Sequence, residues 1–438
     1  MNHRRNIVLP RLSALLITGA VAMQAVVAPA SAATLPLAPP QQLQELQEQY
    51  APSSLPATTY PAESGAPQPQ PFGPDAYFGY ISDISSYPGG TYYSVVDGFA
   101  DLRANHPDTL AENLNITLSI NNSASPERIT RAQADARADS GGLLGTLSDA
   151  FGPTLGEQLR AAIAENRLPK TRAFLDSGYV SRAQGIAAST LVEKEIFNYP
   201  RPFEVAPELI NKNNDGREDY YALNGSASFP SGHTNQAVLI TTLLAAALPE
   251  LGPQLLARGS EAGESRVVMG VHYPLDVIGG RMTGTAAVAD RFNDPKMRDA
   301  LNQVGQEIRT ELTWRTGKPL TETIAAEQAA GRAYASNAQA ATIYANQATY
   351  GLAPVYATDR PMNVPQGAPV LLHNRFPELS WEQRARVIAA TALPSGSPLD
   401  QQDNGAAGSW QRVNLAAAFA AEVTVGPNGE LSVNGSPV

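Results

Sequence analysis

The chain has 438 residues, 43% of them apolar, which is enough for one large domain or two ordinary ones with a sizeable core. Its net charge of -10 disfavours a nucleic-acid partner, which would need a basic face. It has no cysteine, so disulfides and lipid attachment through an N-terminal cysteine are excluded.

Arg4, Arg5 and Arg11 precede an apolar run from Leu12 to Val27, and Ala30-Ser31-Ala32 supplies small residues at its end. That is the pattern of a secretory signal peptide, assigned to residues 1–32. A transmembrane anchor is the rival reading, but the run is short and interrupted by Gly19 and Gln24. An exported protein without disulfides has to be held together by packing alone. Residues 33–75 are rich in Pro, Ala, Gln and Ser and read as an extended or disordered leader. Order is expected to begin near Tyr77, and the aromatic, glycine-rich stretch Tyr77 to Tyr93 reads as loop packed on a core.

From about Ser140 the pattern turns helical, with candidates at Leu155 to Ile163 and Ser181 to Phe197. A polar loop at Asn213-Asn214-Asp215-Gly216 follows, then a helix after Pro230 and another after Pro274. The longest apolar stretch of the mature chain, Ala237 to Leu248, is too short to span a bilayer and reads as a buried core helix. The mature protein is therefore expected to be soluble. Val267 to Val271 is too short to argue for a sheet. Beyond Asp294 the composition shifts. Thr321 to Thr349 is Ala-rich and helical, Ser380-Trp381-Glu382-Gln383 is a capping box opening a helix through Ala392, and Pro427-Asn428-Gly429 suggests a turn. The expected organisation is a mainly α core over residues 76–295 with a mostly helical extension, 296–438, packing on it.

Three strings carry the chemistry: Lys194-x6-Arg201-Pro202, Pro230-Ser231-Gly232-His233, and Ser265-Arg266-x5-His272-x3-Asp276. Ser231 is a good N-cap for the apolar helix behind it, and a helix N-terminus offers free N–H groups and a positive dipole end to an anion. Gly232 lets the backbone approach closely, and His233 falls in the first turn. Pro274 suits the first position of a helix, which leaves His272 just outside it and Asp276 in its first turn. Asp276 can then reach back to accept a hydrogen bond from His272 and fix the ring's tautomer. Arg266 lies on the approach to the same helix, and Arg201 is wedged between Pro200 and Pro202, a rigid placement that suits bidentate phosphate binding. Singly, each string reads as an ordinary cap, dipole partner or surface charge; the ordered set does not.

That ordered set resembles the signature of the type 2 phosphatidic acid phosphatase superfamily, which includes secreted bacterial class A acid phosphatases, lipid phosphatases and vanadium-dependent haloperoxidases. All eleven signature positions are present in order, over about Lys194 to Asp276. Phe203 and Thr234 further resemble the bacterial acid phosphatases. The resemblance implies a helical-bundle core and a phosphoryl-transfer site. His272 would be the nucleophile forming a phosphohistidine, Asp276 its orienting carboxylate, and His233 the general acid and then base. Lys194, Arg201, Arg266, Ser231 and the backbone N–H of Gly232 would cradle the phosphoryl oxygens. Three cations can neutralise that charge without a metal. One histidine neutral and one protonated implies activity that varies in the mildly acidic range.

The implied protein is a secreted, metal-independent acid phosphatase acting on small phosphomonoesters, with no cofactor. Its rivals are a haloperoxidase holding vanadate on His272, a lipid phosphate phosphatase at a membrane surface, and a non-enzymatic envelope protein. Other candidates carry less. Asn211-x-Asn213-x-Asp215-Gly216 resembles the start of a calcium loop, but Ala222 stands where a bidentate Glu is needed. His106 and His373 read as surface or structural, and Trp314, Trp381 and Trp410 as packing anchors rather than a carbohydrate platform. Gly408 to Leu415 faintly resembles tails of longer secreted relatives and assigns no chemistry.

Overall fold

A computed structural model describes residues 56–73, 95–137, 142–175, 190–214 and 223–438. The segment read from the sequence as a signal peptide, the expected leader before residue 56, the whole aromatic stretch 77–93, the first part of the helix expected from Ser181 and Asp215-Gly216 lie outside these residues. The described chain is mainly helical.

Helices begin well before Ser140. α1 spans Gly98–Asn105, α2 Pro107–Ser123 and α3 Pro126–Arg137. The pattern of apolar residues hides α2 because its buried positions are Thr109, Asn113, Thr117 and Asn121, a polar stripe with a helical four-residue spacing. α4 (Pro153–Ala164), α5 (Pro169–Leu175) and α6 (Leu191–Phe197) follow. The proline-rich segment 56–73, with one 3-10 turn at Ala62–Ser64, is tied down. Thr58 N–H donates to Glu165 O at 2.9 Å, Arg167 donates to Thr58 O and Pro67 O at 2.8 and 2.7 Å, and Phe72 is buried.

The centre is a trio: α7 (Gly232–Ala247), α8 (Gly252–Val268) and α9 (Pro274–Asn293). α7 packs along both others and is buried almost all round, as a helix with no polar face must be. Two glycines of α9 let the helices approach. A Cβ on Gly280 would meet Ser231 O at 2.5 Å, and one on Gly284 would meet Asn235 O at 2.7 Å. This contact sets the N-terminus of α7 beside the N-terminus of α9, where Ser231 N–H donates to Asp276 O at 2.9 Å.

α10 (Pro295–Thr316) continues directly from α9, capped by Asp294, whose Oδ1 accepts from Lys296 N and Met297 N. The Ala-rich stretch divides into α11 (Leu320–Ala329) and α12 (Asn337–Thr349), the second capped by Ser336 with Gln339 reaching back. Ser380 and Gln383 form the expected capping box on α13 (Trp381–Ala390), and α14 spans Leu415–Ala420. The chain ends in a small antiparallel sheet of β1 (Val423–Val425), β2 (Leu431–Val433) and β3 (Ser436–Pro437), with Pro427-Asn428-Gly429 in the β1–β2 turn. Val304, Ile308, Trp410, Val413 and Phe419 share one hydrophobic core with Leu243 and Leu244 of α7 and Ile278 of α9. Buried Arg281 of α9 donates to Gln411 O and Val413 O at 2.7 and 3.2 Å, which fixes the Gly408 to Leu415 segment against the central trio.

Candidate active site

The mouths of α7 and α9 and the end of α8 converge on one point. α8 ends at Val268, α9 starts at Pro274, and the loop between them carries His272. Pro274 is the first residue of its helix, as its fixed φ and missing N–H favour. Asp276 is therefore in the first turn, and its Oδ2 accepts from His272 Nδ1 at 3.0 Å and from Tyr273 N at 2.9 Å. Ser228 Oγ also donates to Asp276 Oδ2. Three donors thus converge on one carboxylate oxygen, while Oδ1 is buried without a hydrogen-bond partner.

Arg201 comes to the other side of the imidazole. Its Nη1 lies 3.2 Å from His272 Nε2 and donates to Val271 O at 2.8 Å. Its Nε donates to Ser226 O at 2.8 Å and its Nη2 to Ala227 O at 3.2 Å, with Ser226 Oγ at 3.5 Å. Lys194, on α6, donates its Nζ to Ala227 O and to Ser228 O, the latter at 2.9 Å. The Ser226-Ala227-Ser228 strand of backbone is thus the shared anvil for both cations. Arg266 occupies the last turn of α8, its own carbonyl accepting from Val271 N at 3.2 Å. Lys194, Arg201 and Arg266 are all nine-tenths or more buried.

Ser231 caps α7, its Oγ accepting from Thr234 N at 3.3 Å and Thr234 Oγ1 at 2.8 Å, which leaves its own O–H as a donor. Gly232 is the first residue of α7, where N–H groups have no intrahelical acceptor. His233, half-buried in the same turn, is near enough for its charge to act on His272. All eight predicted site residues come together around the mouth of the central trio.

The electrostatics follow from crowding cations in a dry site. Burial, then the charges of Arg201, Lys194, Arg266 and His233, holds His272 well below the usual histidine range, so the ring is neutral. Burial, with Arg201 and Arg266 adding repulsion, brings Lys194 down to about 7. Burial raises Asp276 to about 6, against the pull of Ser228, the Tyr273 N–H and the neighbouring cations.

Sequence reasoning missed Ser228 and Ser226. Ser228 is fully buried and touches Asp276 by its side chain, Lys194 by its carbonyl and Tyr199 O by its N–H, the last at 2.7 Å. Its signal was its place two residues before Pro230, which no single-residue chemistry makes visible. Most of the weaker candidates have structural contacts, whereas Trp381, expected as a packing anchor, is exposed. Asn213 Nδ2 donates to Val268 O at 2.8 Å, and His373 Nδ1 lies 2.8 Å from Arg384 Nη1. His106 lies 3.5 Å from Asp101, Trp314 Nε1 donates to Ser64 O at 2.9 Å, and Trp410 is buried. Among the described residues no cluster of His, Cys, Asp or Glu has the makings of a metal site, and no helix is long and apolar enough to cross a membrane.

The site's residues coincide with a known family. Residues 175–297 match the PAP2 superfamily. The non-specific acid phosphatase of Salmonella typhimurium is 34% identical over 120 residues, which is 27% of this chain and 46% of that protein. The non-specific acid phosphatase of Providencia stuartii is 29% identical over 182 residues, 42% of this chain and 67% of that protein. The acid phosphatase of Zymomonas mobilis is 30% identical over 120 residues, 27% of this chain and 44% of that protein. The chain thus spans about half the length of the Salmonella and Zymomonas relatives. The stretch similar to the PAP2 superfamily, residues 175–297, contains Lys194, Arg201, Ser231, Gly232, His233, Arg266, His272 and Asp276.

Proposed function

We propose that this protein is an exported acid phosphatase that hydrolyses phosphate monoesters through a phosphohistidine, without a metal. The observation that carries the reading is a neutral, buried imidazole held by Asp276 at Nδ1, with its Nε2 directed at a guanidinium among three buried cations. The names of the similar proteins point the same way.

In the proposed reaction the phosphoryl oxygens lie against Lys194, Arg201, Arg266, the Ser231 hydroxyl and the α7 N-terminus. Negative charge on the transferring group is then met by fixed donors that need no reorganisation. His272 Nε2 gives its lone pair to phosphorus while the ester P–O bond breaks. The proton on Nδ1 stays on the hydrogen bond to Asp276, which stabilises the positive charge the ring acquires. His233, protonated, gives its proton to the departing alkoxide. It then takes a proton from water as that water attacks phosphorus, the P–N bond breaks and the electron pair returns to Nε2.

The test is hydrolysis of p-nitrophenyl phosphate by the purified protein and by His272→Ala, with and without chelator. Activity that disappears in the variant and survives the chelator, with acid-labile, base-stable phosphate trapped on the wild type alone, supports the reading. Full activity in His272→Ala sinks it. Halide oxidation on adding vanadate, in place of ester hydrolysis, would replace it with the haloperoxidase reading.

A further inference from the structure

α2 lies outside the residues that match the family, yet it grips the loop that carries His272. Its buried face is Thr109, Asn113, Thr117 and Asn121, none more than 6% exposed. A helix normally buries apolar side chains, and a buried amide is costly unless it is hydrogen-bonded. Here the two amides are spent on the two ends of one loop. Asn113 Oδ1 accepts from Leu275 N at 3.0 Å, one of the orphan donors at the start of α9. Asn121 Nδ2 donates to Val268 O, the last residue of α8, at 2.8 Å and to Asn211 O at 3.0 Å, while its Oδ1 accepts from Asn211 N at 2.8 Å. Thr117, between them, donates to Asn113 O at 2.8 Å.

Eight residues along a helix span about 12 Å, so one rigid rod sets the distance between the two points where the loop begins and ends. Between those points lie Arg266's carbonyl contact with Val271, the Val271 carbonyl that Arg201 grips, and His272 itself. We infer that Asn113 and Asn121 are positioning residues for His272: α2 is a clamp that fixes the span of the nucleophile loop. The inference rests on His272 being the nucleophile.

The chemistry of the two contacts gives them different tolerances. Asn113 uses only its oxygen, its Nδ2 making no hydrogen bond, so an aspartate in its place keeps the acceptor and sits at a helix N-terminus that favours negative charge. Asn121 uses both ends of its amide, so an aspartate there loses the donor to Val268 O and Asn211 O.

The test is steady-state kinetics and inhibition by inorganic phosphate for Asn113→Leu, Asn113→Asp, Asn121→Leu and Asn121→Asp, with His272→Ala as control. A misplaced reacting atom costs rate more than binding, and a displacement of about 1 Å can cost on the order of a hundredfold. We expect kcat to fall at least about tenfold in Asn113→Leu, Asn121→Leu and Asn121→Asp, to stay within about threefold of wild type in Asn113→Asp, and the phosphate inhibition constant to hold throughout. If the leucine variants do not fold, the two aspartate variants decide. Equal kcat in those two, or wild-type kcat in Asn113→Leu, overturns the clamp. Activity in His272→Ala instead overturns the mechanism on which the clamp rests.

Discussion

Arg201 Nη1 lies 3.2 Å from His272 Nε2. A guanidinium has donors and no acceptor, so Nε2 presents its lone pair and the ring proton sits on Nδ1, facing Asp276. The imidazole is thus held in the tautomer that leaves a lone pair on Nε2, with a cation against that atom. The guanidinium's five N–H groups meet Ser226 O, Ser226 Oγ, Ala227 O, Val271 O and His272 Nε2. A phosphoryl group reaching Nε2 has to draw that Nη1 donor onto its own oxygen.

Arg201→Lys is therefore expected to be far from conservative. An ammonium on a flexible stem cannot hold the backbone of residues 226 and 227 and reach the phosphoryl group together. We expect kcat/KM for p-nitrophenyl phosphate to fall about a hundredfold or more, with most of the loss in kcat. A loss of threefold or less would mean that Arg201 acts only as a distant charge.

Asp276→Asn keeps the shape of the carboxylate but offers His272 Nδ1 an amide that can donate as well as accept. The wrong tautomer then becomes accessible and the imidazolium loses its counter-charge. Loss of kcat by about a thousandfold, with KM little changed, is the expected result, measured on a variant whose circular dichroism matches wild type.

Under the proposed reaction, Lys194 should couple phosphate binding to pH. In the free protein its proton is held only to about 7, because burial and then Arg201 disfavour the charge. A bound dianion favours the charged ammonium and lifts it again, so above about pH 7 binding must take up a proton. The phosphate inhibition constant, corrected for phosphate's own ionisation, should weaken with each further step in pH there. Lys194→Met should bind more weakly and lose that slope. A slope that persists in Lys194→Met would assign the proton to another group.

Ser228→Ala removes one of the three donors on Asp276 Oδ2. The hydroxyl is the first of the influences holding Asp276 down against burial, so its loss lets the carboxyl rise further. The acidic limb of the kcat/KM profile should move to higher pH, and stability should drop by about 1–3 kcal/mol for a buried hydrogen bond lost. Chemical denaturation and a pH–rate profile on the same preparation check both halves.

Gly280→Ala asks how tightly α7 and α9 must meet. Its Cβ would sit 2.5 Å from Ser231 O, a backbone atom that cannot rotate away. Forcing the helices apart should destabilise the fold by about 1–3 kcal/mol and lower kcat, because Ser231 and Asp276 ride on the two helix mouths being separated. A thermal melt unchanged from wild type would show that the contact relaxes freely.

Parts of the molecule announce themselves along the chain and parts do not. Ser231 and Pro274 mark their helix starts because capping and proline's fixed φ are local effects. The reach of Asp276 back to His272 was legible for the same reason, since four residues across a helix start leave little freedom. α2 was not legible, because its buried face is polar and an apolar-periodicity argument has nothing to count. The terminal sheet was legible only as a turn, since its three-residue strands carry too few positions to show alternation.

Sequence alone singled out the residues proposed to meet a phosphoryl group, because the ordered set of cations, capped helix and histidine–carboxylate spacing is a statement about residue types and local geometry. Tertiary structure decided what those residues do in the dry interior. It placed Arg201 on Nε2, made Ser228 the third donor to Asp276, and lowered Lys194 by burial among like charges. It also ran α2 across both ends of the loop that carries His272. Each of these depends on groups dozens of residues apart sharing a volume without water, and burial of that kind leaves no trace in the local pattern of a chain.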